Sequence, residues 1–143
     1  MNETLVNLGA TLALLGLVHF VADWLIQTHD TAQKKNHNRV VRLWHSFGYS
    51  IWFIPCFFVW STEVSLEAGM GGFLWILFSH YFIDSYWPVY WWAKYLRRMP
   101  PPNNPRFKEA WLANPVNPIL FIAVDQILHV VFLLPIAILL VQR

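Results

Sequence analysis

Apolar residues in this chain gather into long blocks separated by short polar stretches, without the strict alternation of half-buried strands. A hydrocarbon core of ~30 Å takes about 20 helical residues to cross. Four blocks approach that length: Leu5 to Ile26, Leu43 to Trp60, Met70 to Trp92, and Asn117 to Val141. The pattern predicts an all-α, polytopic membrane protein with four transmembrane helices in an antiparallel bundle, formed as a single domain over residues 1–143. Pro55 and Pro88 predict a bend or an early end in the second and third blocks. The run PPPNNP at 100–105 breaks any helix, and Phe107 to Leu112 reads as a short interfacial helix before the fourth span. The first block has no basic n-region and no small-residue cleavage site, so it reads as a span instead of a cleaved signal peptide.

Charge adds an orientation. Nine of the ten Lys and Arg residues fall in or beside two connectors, 27–42 and 94–111. Glu3, Glu63, Glu67 and Arg143 lie on the other side. By the positive-inside rule the basic loops 27–42 and 94–116 are cytoplasmic, and both termini and the 61–69 loop are outside. The expected location is the bacterial inner membrane. Composition agrees, with 57% hydrophobic and 13% charged residues. Tyr86, Trp87, Tyr90, Trp91, Trp92 and Tyr95 cluster where the third span meets the cytoplasmic interface, as an aromatic belt or as a surface for a protein partner or a second copy of the chain. The lone Cys56 excludes a disulfide framework and a cysteine-based zinc site. No nucleic-acid partner is expected.

The ionisable residues within the predicted spans are His19 and Asp23, His45, His80 and Asp84, and Asp125 and His129. Each His/Asp pair is spaced i, i+4, which puts both side chains on one helix face about 6 Å apart along the axis. The first and third spans run inward with histidine first, and the fourth runs outward with aspartate first. All three aspartates therefore fall in one layer, roughly 6 to 12 Å deep, and their histidines about one turn deeper. His45 joins the aspartate layer.

No Lys or Arg lies within the spans to balance three carboxylates, and each charge costs at least ~2.5 kcal/mol at membrane depth. Protonated carboxyls, protonated histidines or bound cations would balance them. Imidazole with carboxylate suits one or two divalent ions, zinc first and manganese or iron next. A structural polar network, a proton or cation pathway, and ligation of haem or a pigment by histidine stay open beside that reading. Gln27 and Gln126 are candidates for hydrogen bonding to the ligands. His29, Asp30 and His37 read as solvated. Lys34, Lys35, Arg39 and Arg42 read as a topology signal that also suits anionic headgroups or a phosphate-bearing substrate. The chain has no clustered histidine boxes, no His-Glu-x-x-His, no Glu-x-x-His and no G-x-S-x-G.

The segments LVHFVADWLIQT, SHYFIDSY and VDQILHVV, with His45 between them, resemble the signature positions of an uncharacterised family of small bacterial and phage membrane proteins, known only as a domain of unknown function. That resemblance runs through all four spans and implies a family-wide polar centre without an assigned activity. A looser similarity to inner-membrane proteins labelled as metal-dependent hydrolases implies hydrolysis by analogy. The resulting expectation is a metal-dependent hydrolase acting on a lipid or lipid-linked phosphoester from the cytoplasmic leaflet, with Asp23 as general base. The alternative is a non-enzymatic subunit of a larger complex whose His/Asp centre is structural or holds a cofactor.

Overall fold

A computed structural model describes residues 2–59, 64–96 and 116–141. The PPPNNP run, the segment 107–112, most of the second basic loop, Glu63 and Arg143 lie outside the described residues. Those described are helical, with no strand among them. Helix α1 (Glu3–Phe20) starts where the Asn2 side chain accepts from Thr4 N–H, and runs directly into a π-helical turn, Val21–Leu25. Helix α2 (His29–Lys34) is capped by Thr28, and α3 (Arg39–Ile51) by Asn38, whose side chain accepts from the amides of Val40 and Val41. Then come α4 (Ile54–Val59), α5 (Leu66–Ile83) capped by Ser65, α6 (Trp87–Tyr95) and α7 (Val116–Val141).

Among the described residues, three stretches are long and apolar enough to cross a membrane: Glu3–Leu25, Leu66–Ile83 and Ile119–Val141. The block predicted as a second span is divided instead, because Pro55 lacks an amide proton and its ring would meet the Ile51 carbonyl four residues back. The helix accordingly stops at Ile51 and resumes at Ile54. The third block is also shorter than the sequence pattern predicts. Helix α5 ends at Ile83, with Asp84 as its C-cap. Tyr86 then takes a left-handed conformation at φ 61, and Pro88 opens α6. An unbroken helix would set the Pro88 ring against the Asp84 carbonyl, which explains the interruption at that point.

Helix α1 packs along α7, α5 packs against α3 and α7, and α2 lies on α3. Their shared core includes Leu15, Phe53, Phe57, Ile76, Ile136 and Ala137. Large apolar side chains also face outward, among them Leu17, Phe20, Phe78, Ile127 and Val131. Helices apolar all round are those of a lipid solvent. Gly72 lets α5 approach its neighbours closely: a Cβ there would stand 2.8 Å from the Phe57 ring and 3.5 Å from Ile136 Cδ1. Trp75 ties α5 to α7 by donating from Nε1 to the Phe132 carbonyl at 2.8 Å, three residues before Pro135.

Candidate metal centre

The π-helical turn decides where the first polar pair goes. Ile26 N–H bonds the Val21 carbonyl at 3.2 Å, an i→i+5 link that inserts one residue into the helical turn. Asp23 lies inside that turn, and His19 and Asp23 serve different neighbours. Such single π turns recur at functional sites.

Asp23, His45, His80 and Asp84 converge, each offering one ligand atom, with all four atoms within 4.8 Å of one another. His45 Nε2 stands 3.0 Å from Asp23 Oδ1 and 3.4 Å from Asp84 Oδ2. It also stands 3.0 Å from His80 Nε2. His80 Nε2 in turn is 3.2 Å from Asp84 Oδ2 and 3.8 Å from Asp23 Oδ1. One ring nitrogen carries either a proton or a lone pair, so each of these nitrogens can serve only one of its close neighbours by a hydrogen bond. Asp84, 1% exposed, has ion-pair contacts to Oδ1 and Oδ2 but neither oxygen meets hydrogen-bond geometry.

His129 borders this group from α7. Its Nδ1 donates to the Asp125 carbonyl at 2.9 Å, which leaves a lone pair on Nε2. That buried Nε2 has no hydrogen-bond partner and faces Asp84 Oδ1 at 3.8 Å. A histidine with one nitrogen held by a backbone carbonyl and the other free is preset as a metal ligand. Two electron-rich groups facing each other in a buried position are what a cation between them stabilises.

The other expected site residues have separate partners. His19 Nδ1 meets the Tyr49 hydroxyl at 3.0 Å and its Nε2 meets Gln126 Oε1 at 2.9 Å, so neither nitrogen is free for a ligand. Gln126 also donates from Nε2 to Asp125 Oδ2 at 3.1 Å. Asp125 Oδ2 is 3.7 Å from His129 Nδ1, and its side chain is 14% exposed. Asp23, the expected base, is engaged inside the four-residue group. Stacked rings connect the parts: Tyr49 lies on His80 at 3.6 Å, while His129 stacks on His19 at 4.9 Å and tilts against His80 at 4.7 Å.

Lys35 is the residue that sequence reasoning missed. It comes from the connector after α2, yet only 9% of its side chain is exposed. Its Nζ stands 2.9 Å from Asp23 Oδ1 and 3.0 Å from Asp84 Oδ1. Gln27 Oε1 accepts from it at 3.2 Å, and His45 Nε2 lies 3.3 Å away. Burial disfavours the charge, but the Asp84 and Asp23 carboxylates outweigh burial and raise the lysine's pKa above its ordinary value. Arg42 fixes the connector by donating from Nη1 to the Asn36 carbonyl at 3.2 Å and to the Lys35 carbonyl at 3.4 Å. Its guanidinium also sits over the Tyr81 ring at 4.6 Å. The charge cluster of the connector gave no signal that one member turns inward. Its neighbours stay outside: Asp30 pairs with the exposed Lys34 at 2.7 Å, and His29 with Gln33 at 2.8 Å.

No curated protein and no solved structure matches this chain. The profile of the family described as "Protein of unknown function (DUF3307)" matches residues 11–143, which carry every side chain of the buried centre, and the chain belongs to that family.

Proposed function

We propose that the chain is a multipass protein of a bacterial inner membrane and a metal-dependent hydrolase of a lipid or lipid-linked phosphoester drawn from the cytoplasmic leaflet. The observation that carries this reading is the convergence of Asp23, His45, His80 and Asp84 to within 4.8 Å, in a donor set of two imidazoles and two carboxylates. Such a set suits zinc, with manganese or iron as alternatives. The cation would supply Lewis acidity and lower the pKa of a water molecule. Asp23, His45, His80 and Asp84 would hold it, with His129 Nε2 beside Asp84 as a further ligand or the start of a second site. Asp125, off the four-residue group and partly exposed, is better placed than Asp23 to accept a proton. In this reading α3 and α4 together make the fourth crossing of one domain, both termini lie outside, and the basic loops face the cytoplasm, where they attract an anionic headgroup.

One observation favours a non-enzymatic reading, in which the chain is a subunit of a larger assembly with a structural polar centre. Lys35 itself compensates Asp23 and Asp84. Exposed Trp44, Trp87 and Trp91 would then serve a protein partner or a second copy.

Elemental analysis of protein purified in detergent without chelators separates the two. About one or two equivalents of zinc, manganese or iron, lost in His80→Ala and Asp84→Ala variants that keep their helical spectrum, is the expected result. Metal-free wild type would refute the hydrolase reading. Metal-dependent release of phosphate or headgroup from lipid phosphoesters, abolished by the same substitutions, tests the reaction itself.

A further inference from the structure

The Lys35 ammonium lies against the group that the proposed cation would occupy. Its contacts include Asp23 Oδ1 at 2.9 Å, Asp84 Oδ1 at 3.0 Å and His45 Nε2 at 3.3 Å, three of the four residues in the donor set. It is an incomplete occupant. Hydrogen-bond geometry is met toward Asp23, Gln27 and His45, whereas the 3.0 Å ion pair with the buried Asp84 misses that geometry and Nε2 of His129 has no hydrogen bond. With both imidazoles neutral, one ammonium balances one of the two carboxylate charges, and a divalent cation balances both. A lysine and a divalent ion cannot share this volume, because like charges at such separations repel strongly where water does not screen them.

The lysine is also free to leave, because it is not borne on a membrane-crossing helix. It belongs to the strap of α2 and the turn that follows, residues 28–38, where Lys34, His37 and Asn38 are exposed and Thr31 and Asn36 half-buried. Apart from the Lys35 side chain, the strap is held by the Arg42 hydrogen bonds to two carbonyls, by Asn38, which caps α3, and by the packing of α2 on α3.

We propose that Lys35 is a tethered stand-in for the divalent cation: it holds the site when no metal is bound, and metal binding expels it, releasing the strap 28–38 and presenting a positive side chain at the mouth of the site. The inference rests on the metal reading above and adds the exchange.

The test uses the full chain in detergent with Zn²⁺ as the probe. An amine-reactive reagent with peptide mass spectrometry reports the accessibility of each lysine. In wild type, zinc is expected to raise labelling of Lys35 at least fivefold while the exposed Lys34 changes little. The His80→Ala variant is expected to show no zinc-dependent change. Lys35→Met is expected to bind zinc at least tenfold more tightly than wild type, since its competitor is gone.

If zinc binds in a His80-dependent way but Lys35 stays protected, or Lys35→Met binds no more tightly, the exchange is overturned and the metal site stands. If neither wild type nor Lys35→Met binds zinc in that way, both readings fall. The labelling arm needs no Lys35 substitution, so a variant that fails to fold does not shelter the proposal.

Discussion

Replacing Tyr49 by Phe removes one oxygen from the interior and leaves every ring contact in place. Tyr49 is 3% exposed, stacks on His80 at 3.6 Å, and lies 5.0 Å from Phe53. What it loses is the 3.0 Å hydrogen bond to His19 Nδ1. The proton positions follow from the neighbours. Gln126 uses its amide N–H on Asp125, so its Oε1 faces His19 and accepts from Nε2–H. Nδ1 is then the lone pair that the tyrosine proton satisfies. Moving the ring proton to Nδ1 would sacrifice the glutamine bond, so the neutral imidazole has no second tautomer that satisfies both nitrogens.

The size of the effect depends on which reference applies. Leaving a buried acceptor unsatisfied costs about 1–3 kcal/mol in water-soluble proteins. Interhelical hydrogen bonds in membranes average only ~0.6 kcal/mol with a maximum near ~1.7, because the unfolded chain in lipid finds partners too. A fully buried histidine with no alternative partner belongs at the upper end of the second range. The expected loss is about 1–2 kcal/mol, measured by reversible unfolding in mixed micelles with increasing SDS, with bound metal unchanged because the ring on His80 remains. A neutral Tyr49→Phe would refute the proton assignment, and a variant that lost its metal would place the hydroxyl inside the centre.

Two further predictions concern packing and ligation. Gly72→Ala puts a methyl group 2.8 Å from the Phe57 ring, and overpacking of this kind costs about 1–3 kcal/mol; the same SDS assay should show Phe57→Leu restoring most of it, and an unshifted Gly72→Ala would contradict the α4–α5 contact. Free zinc at ~100 times its Kd should stabilise wild type by about 2.7 kcal/mol, visible as a raised melting temperature that a chelator reverses and that His80→Ala lacks. An equal shift in His80→Ala would mean that zinc acts elsewhere.

The existence of a buried polar centre was legible because the i, i+4 spacing of His80 and Asp84 and of Asp125 and His129 survives in regular or nearly regular helix. His80 Nε2 does reach Asp84 Oδ2 at 3.2 Å. The spacing misleads at His19 and Asp23, where a π turn intervenes, and no local sequence signal distinguishes VADWL from five more residues of α-helix. The interruptions at Pro55 and Pro88 were legible as possibilities of a bend, since proline acts on the carbonyl four residues before it. Their extent was not, because where the chain resumes its helix depends on what it packs against. Lys35 was hidden for a different reason. Reading charge by its position along the chain assigns every connector lysine to solvent, and only tertiary structure shows a connector folding back over the helix ends.

The irregular backbone and the centre occupy the same level of the bundle, and this has a consequence for access. Asp23 lies in the π turn, Asp84 caps α5 just before the left-handed Tyr86, and Lys35 hangs from the strap between α2 and α3. Interrupted helices are tolerated at membrane depth only where protein or a polar cavity meets the freed backbone groups. In the proposed topology a centre at such helix ends lies on the interface side of the apolar core formed by Leu15, Phe53 and Ile76. That arrangement suits a ligand arriving with the headgroups better than an ion crossing the membrane. The strap is then the part of the molecule whose motion would admit it, and the lysine it carries links that motion to occupancy of the centre.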